Sequence, residues 1–209
     1  MTDSTDRKSN RPSGGAAALA DEIIADNAVN RISQLAKELL DERQTTATQA
    51  ARILSEIIAK KPDMVVTAVE RFTQGIASTH KRVVQTSAEA LPAIAKIAPA
   101  RVAKHLERLR TAWGETNDVG KDGLVRTFSN LCAASVAYQK RLEPILSKAL
   151  GEADGKTLVI WTETVLPALK GEPHANARAV VEGRLEELPK ASAQKIADFL
   201  GIKLRIRPK

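Results

Sequence analysis

The residues able to do acid–base, nucleophilic or metal chemistry are few in this 209-residue chain, and they are not arranged as that chemistry requires. His80, His105 and His174 are widely separated and lack metal-ligand spacing, and a single cysteine excludes a paired-cysteine zinc motif. No glycine-rich phosphate loop or nucleophile elbow occurs. Cys132 lies in the apolar run FSNLCAASVA, where it reads as a small buried hydrophobe; a reactive thiol needs a cationic, exposed setting. Glu186 and Glu187, close to Lys190, form a solvated charge pattern. The sequence therefore predicts no catalytic residue, no metal ligand and no cofactor, and it points to binding instead of turnover.

The side chains suited to binding are cations and two tryptophans. In IAPARVAKHLERLRTAW, residues 97–113, Arg101, Lys104, His105 and Arg108 form one helical stripe beside a second made of Val102, Leu106, Leu109 and Trp113. The end of the chain, GIKLRIRPK, alternates Ile202, Leu204 and Ile206 with Lys203, Arg205 and Arg207, a short extension or basic arm able to make salt-sensitive phosphate contacts. The net charge is +7, but residues 1–80 hold ten Lys and Arg against eleven Asp and Glu, so the excess lies entirely in the remainder. An acidic partner, nucleic acid included, is compatible with that asymmetry.

Positioning these side chains is a task for helices. The chain is 43% hydrophobic yet only 3% aromatic, so its core must be aliphatic and rich in alanine, which permits close helix approach. Residues 1–16 are polar and offer little to bury, and they read as a disordered tail; MTDSTDRKSNRPSGG has no apolar centre and is not a secretory signal. No apolar run reaches membrane-spanning length. From about Ala16 the pattern is helical, and Pro62 and Pro99 each follow an apolar helix and open the next.

Those two prolines also disclose a repeat. Pro62, Val65, Val69, Phe72 and Ile76 align with Pro99, Val102, Leu106, Leu109 and Trp113, and Ala51, Leu54 and Ile57 with Ala88, Leu91 and Ile94, always 37 residues apart. Further on, Leu91 and Arg101 pair with Leu131 and Arg141 at an offset of 40, and Leu131 with Leu166 at 35. Leu91-Pro92 recurs as Leu166-Pro167, with prolines inside predicted helices that should bend or break there. Five hairpins result, at about 27–60, 62–97, 99–136, 138–170 and 174–201. None can bury its apolar stripes alone, so neighbours must stack.

On these residues, and on HKRVVQTSAEALPAIAKIAP in particular, the chain resembles the HEAT and armadillo families. The Asp-Pro turn common in HEAT repeats is missing, which leaves the subtype open. The resemblance implies an all-α fold, an α-solenoid of about five HEAT-like hairpins over 17–202, with a basic tail at 203–209. It also implies that second helices line the concave, ligand-binding side. In the register above, Lys81, Lys121 and Lys156 share one position near the starts of three second helices, and Gln49, Thr86, Arg126 and Trp161 share another. Lys81, Arg82, Lys121, Arg126, Lys156 and Trp161 are thus the expected contacts for a protein or peptide partner, arginine and tryptophan being common hot-spot residues.

The alternative is nucleic-acid binding through Arg101, Lys104, His105, Arg108, Lys203, Arg205 and Arg207, by phosphate contacts. One catalytic family, the alkylpurine DNA glycosylases, is similar in fold, length and basic character, and the resemblance implies an aspartate among aromatic side chains. Only AWGETNDVG, with Trp113 and Asp118, matches it loosely, and the tryptophan–aspartate signature is absent. The expected setting is the cytoplasm, or the nucleus in a eukaryote, with no membrane partner.

Overall fold

The computed structural model describes residues 14–204, and all regular structure among them is helical. Helices α1 (Gly14–Ala25) and α2 (Val29–Glu38) precede α3 (Gln44–Lys60). A 3-10 helix, Pro62–Ala68, runs into α4 (Val69–Gly75), and α5 (Lys81–Ile97) follows. Next come α6 (Pro99–Ala103), α7 (Leu106–Ala112), α8 (Asp118–Ala134), α9 (Val136–Glu152) and α10 (Gly155–Val165), which closes in the 3-10 turn Leu166–Ala168. Helices α11 (Gly171–Arg184) and α12 (Lys190–Leu200) complete the series. None of these is long and apolar enough to cross a membrane.

One layer is formed by α1, α3, α5, α8, α10 and α12, each packed on the next, and the intervening elements lie against it. The helix α1 belongs to this layer and packs on α3, with Ala20 and Ile23 buried. It starts at Gly14, so the span read as tail gives way to helix slightly early, because Ala16, Leu19, Ala20 and Ile23 supply an apolar stripe.

The spacing of this layer is uniform. Helices α3, α5, α8 and α10 begin 37 residues apart, at Gln44, Lys81, Asp118 and Gly155. Their burial repeats in the same register: Ala50, Ala51, Leu54 and Ile57 recur as Ser87, Ala88, Leu91 and Ile94, then as Leu124, Val125, Phe128 and Leu131. The fourth set is Trp161, Thr162, Val165 and Ala168. The offsets of 40 and 35 are thereby corrected to 37. The offset of 40 is a slip of three residues, which leaves an apolar stripe on nearly the same helical face, and the offset of 35 returns Leu166 to within one residue of the uniform register, so matching leucine to leucine does not distinguish the registers. Lys81, Lys121 and Lys156 consequently do not share a position, and neither do Arg126 and Trp161.

The stretch 97–113 is not one continuous helix. It breaks at Lys104 and His105, between α6 and α7, and the preceding hairpin breaks 37 residues earlier, where its 3-10 helix meets α4. Val102, Leu106 and Leu109 all remain buried across the break. Pro92, by contrast, stands inside an unbroken α5. Its ring leaves the Ala88 carbonyl without the usual helical donor. Arg126 Nη2 of α8 donates to that carbonyl at 3.3 Å, and Asn130 Nδ2 donates to the Pro92 carbonyl at 2.9 Å. Pro167 is the one that ends its helix, in the 3-10 turn after α10.

At the α5–α8 crossing Gly123 lies against Ala88: a methyl group on Gly123 would stand 2.5 Å from the Ala88 side chain and 2.6 Å from its Cα. Cys132 is fully buried on the same helix, and burial pushes its thiol up to about 12, which keeps it protonated and inert.

Gly123→Ala should therefore lower stability by about 1–3 kcal/mol through overpacking, although alanine is the better helix former. Gly183→Ala on α11, where nothing lies near the added methyl, should instead raise it by about 0.5–1 kcal/mol. Urea unfolding followed by circular dichroism checks both signs.

Candidate functional site

Four segments meet at one end of the helical layer. Trp113 closes α7, and the Asn117 side chain caps α8 by accepting from Gly120 N at 3.0 Å. The first turns of α8 then present Asp118, Val119, Lys121 and Asp122. The end of α9 brings Ala149 and Glu152, and α10, capped by Asp154, brings Thr157, Ile160 and Trp161. Between them lies an open cavity of about 580 Å³.

A chain of polar and aromatic contacts holds this wall together. Trp161 Nε1 donates to Asp122 Oδ1 at 3.0 Å, and Asp122 Oδ2 pairs with Arg126 Nε at 2.9 Å. The same arginine reaches back to the Ala88 carbonyl. The rings of Trp113 and Trp161 are 6.1 Å apart and tilted by 57°, and the Lys121 ammonium stands 5.8 Å from the Trp113 ring centroid, within cation–π range. The tryptophans are 8% and 6% exposed, so they form the floor, whereas Val119 and Ile160, 50% and 58% exposed, stand at the rim.

Four carboxylates and one ammonium line the cavity. Asp122 is committed on both oxygens. Asp154 accepts from Thr157 N, Thr157 Oγ1 and Lys156 N, and these hydrogen bonds hold its carboxyl below the usual aspartate value, the Thr157 N–H contributing most. Glu152 has only a loose pairing with Lys148 at 3.8 Å, and Asp118 has no partner among the described residues.

The other residues singled out in the sequence are dispersed. Lys81 and Lys156 are exposed and do not line this cavity. Arg82 donates to Gln85 Oε1 at 3.1 Å and borders a separate open groove of about 1010 Å³ between α1 and α3, with Gln49 and Arg52. Arg101, Lys104 and Arg108 are exposed on the opposing elements, without ion-pair partners among the described residues; His105 is half-buried in the break between α6 and α7. Glu107, beside them, pairs with both Arg110 and Arg141. Lys203 is exposed, and Arg205 and Arg207 lie outside the described residues. No cluster of three or more His, Cys, Asp or Glu is placed to hold a metal among the described residues.

Structure thus joins Lys121, Arg126 and Trp161 with Trp113 and Asp118, the two residues of the loose glycosylase match, and adds Asp122, Glu152 and Ile160. The uniform register marks two of these residues as unusual for their positions. Lys121 occupies the position of Ala47, Val84 and Leu158, all core, and Trp161 that of Ala50, Ser87 and Leu124.

Neither a protein-family model nor a curated protein matches the sequence. Among solved structures, the chain is similar to an engineered protein known from a crystal structure, with a TM-score of 0.64 at 19% sequence identity, over 92% of this chain and 89% of that one. The likeness is one of fold.

Asp122→Ala should cost about 1–2 kcal/mol, because it strands the part-buried Trp161 N–H and releases Arg126. It should also alter the tryptophan emission; an unchanged spectrum and midpoint would contradict the assigned hydrogen bond. Asp154→Ala should remove about 1 kcal/mol at neutral pH as a lost helix cap. Because the folded-state pKa is depressed, this contribution is present above the ordinary aspartate value and disappears as pH falls through the lowered one. Thermal midpoints of parent and variant should accordingly converge in acid.

Proposed function

We propose that the chain is a HEAT-type α-solenoid acting as a non-catalytic binding scaffold, which takes a protein or peptide partner on its layer of second helices. The uniform 37-residue spacing, the succession of packed helices and the fold likeness support the architectural part. One observation carries the functional part: two departures from the repeat, Lys121 and Trp161, line one cavity. Lysine stands in a position that is core in the other hairpins, tryptophan in one held elsewhere by Ala50, Ser87 and Leu124, and both line the same opening with exposed Val119 and Ile160 beside them. In a repeat array the other hairpins act as an internal reference for what packing alone requires. Two tryptophans at the floor, with exposed apolar and charged side chains around them, give the aromatic centre and mixed surround of an interaction anchor.

A second reading is favoured by the meeting of Trp113, Trp161 and Asp118 in one cavity, the residue types implied by the alkylpurine glycosylase resemblance. Against it, both rings are nearly covered and Lys121 already stands over the Trp113 face, which leaves little aromatic surface for a base. Release of alkylated base from DNA, lost in Asp118→Asn, is the result that would establish it.

The cavity holds both tryptophans of the chain, so intrinsic emission reports on it directly. Peptides selected from a tryptophan-free display library should shift that emission and bind roughly tenfold more weakly to the Val119→Ala, Ile160→Ala double variant. Arg101→Glu with Arg108→Glu should leave them unaffected. Selected peptides that ignore the rim variant and respond to the outer one would refute the proposed face; loss of retained duplex DNA in that outer variant at low salt would move the function to phosphate contacts.

A further inference from the structure

We propose that the array carries a second docking surface, at the end of the helical layer remote from the tryptophan cavity, which takes an amphipathic helix of another protein whose apolar stripe is edged by aspartate and glutamate. The surface lies where α5 passes into α6 and α8 into α9. Two cross-helix hydrogen bonds set the alignment there: Arg126 Nη2 donates to the Ala88 carbonyl and Asn130 Nδ2 to the Pro92 carbonyl, in both cases between residues 38 apart. Continued by one helical turn, the alignment places Ala134 beside Lys96 and Ile97, at the ends of α8 and α5. Helix α6 packs on α8 as well. The first turn of α9 is fixed from beneath, because the buried Gln139 side chain donates to the Cys132 carbonyl at 3.0 Å and accepts from Lys170 N at 3.0 Å. Asp118 at the cavity and Ala134 at this surface are the two ends of α8, about 24 Å apart.

The side chains here are apolar or cationic. Ile97 is 48% and Val136 62% exposed, and Ala100, Ala134 and Ala137 are exposed in the same turns. Lys96, Arg101 and Lys140 are exposed around them, with no ion-pair partner among the described residues. Residues 90–106 and 123–142 contain no aspartate or glutamate, and Glu107, next along the chain, pairs with Arg110 and Arg141. Packing of the repeat does not demand this pattern: where this hairpin has Ile97 and Ala100, the preceding one has Lys60, paired with Asp21 at 2.6 Å, and Asp63. An apolar centre within an unneutralised cationic fringe complements an apolar stripe edged by carboxylates, and the alanines let a helix backbone approach closely. A second copy of the chain would set cation against cation, and nucleic acid would leave Ile97 and Val136 uncovered. The exposed aromatic anchors of a bilayer-binding surface are missing, since both tryptophans line the cavity and the one tyrosine, Tyr138, is half-buried. The residues before Gly14 join α1 at the opposite end of the layer, where Gly15 and Ala16 share a groove with Gln44 and Thr45.

An alanine-based helical peptide with leucines at alternate third and fourth positions, and glutamates on both sides of that stripe, should bind the full chain in fluorescence anisotropy. Its glutamine counterpart should bind at least about tenfold more weakly. Ile97→Ser combined with Val136→Ser should weaken the glutamate peptide about tenfold. Lys96→Glu combined with Lys140→Glu should do the same, and a peptide with lysines in place of the glutamates should regain the loss. All four positions are exposed, so unchanged thermal unfolding will establish that both double variants are folded. Unlabelled peptide should leave the tryptophan emission unchanged, because both rings stand at the other end of α8. Equal binding of the glutamate and glutamine peptides, or a glutamate preference that survives both double variants, overturns the inference. Binding that shifts the emission and is lost in the Val119→Ala, Ile160→Ala variant moves the helix to the cavity, which overturns it and leaves the scaffold reading standing. Sedimentation with phosphatidylserine vesicles that both double variants lose, with no binding of the peptide, would make the surface a membrane contact and likewise overturn it.

Discussion

Where α8 crosses α5, the two backbones approach so closely that Gly123 leaves no space for a methyl group against Ala88. The rest of the cavity wall depends on that approach. It brings Arg126 within reach of the Ala88 carbonyl, which Pro92 has deprived of its helical donor. A proline in mid-helix would ordinarily leave a carbonyl unsatisfied and a helix bent. Here the neighbouring helix supplies the donor, and the arginine so fixed orients Asp122. Asp122 in turn holds the Trp161 indole, and Trp161 lies on Trp113. Three successive hairpins are therefore linked by one sequence of contacts that begins with a missing side chain.

The regular 37-residue spacing makes such a linkage interpretable. Where helices recur at one spacing, a residue that satisfies the packing of its own helix resembles its counterparts in the others. Leu54, Leu91, Phe128 and Val165 behave in this way, all buried and all apolar. Lys121 does not: its counterparts Ala47, Val84 and Leu158 are all buried and uncharged. Burying an ammonium without compensation is costly. Lys121 is only half-buried, and the ring of Trp113 and the open cavity provide that compensation, so the lysine, the tryptophan and the opening belong to one local arrangement.

Much of the fold was legible in the sequence. The aliphatic periodicity gave helices, Pro62 and Pro99 marked their starts, and the first 37-residue offset was read correctly from Val65 through Ile76. The later register was not, since leucine and arginine are frequent and a three-residue slip preserves a helical stripe. That slip hid what sets Lys121 apart from its counterparts. Misplaced opposite Lys81, Lys121 looks like one rung of a basic ladder; placed opposite Val84, it is a charge in a core position. The pairing of Asp122 with Trp161 was also illegible, because residues 39 apart in sequence meet only after two helices have packed. The breaks at Lys104 and at Ala68 carried no proline or glycine to announce them.

The placement of charge is the last consequence of the repeat. A chain with net +7 has to keep its cations apart or pair them, and the layer of α1, α3, α5, α8, α10 and α12 pairs some of them locally, with Arg126 on Asp122 and Lys60 on Asp21 and Glu56. Exposed pairs of this kind add little stability, each about 0–1 kcal/mol. Their effect lies in the field they leave behind, since paired cations no longer contribute a continuous positive surface along the layer. Asp118 and Glu152 escape such pairing or make it only loosely, and both face the one cavity where the repeat has been interrupted. Packing irregularity and charge reversal thus coincide at a single place. Core geometry alone requires neither, because the hairpin containing α5 is equally well buried without them.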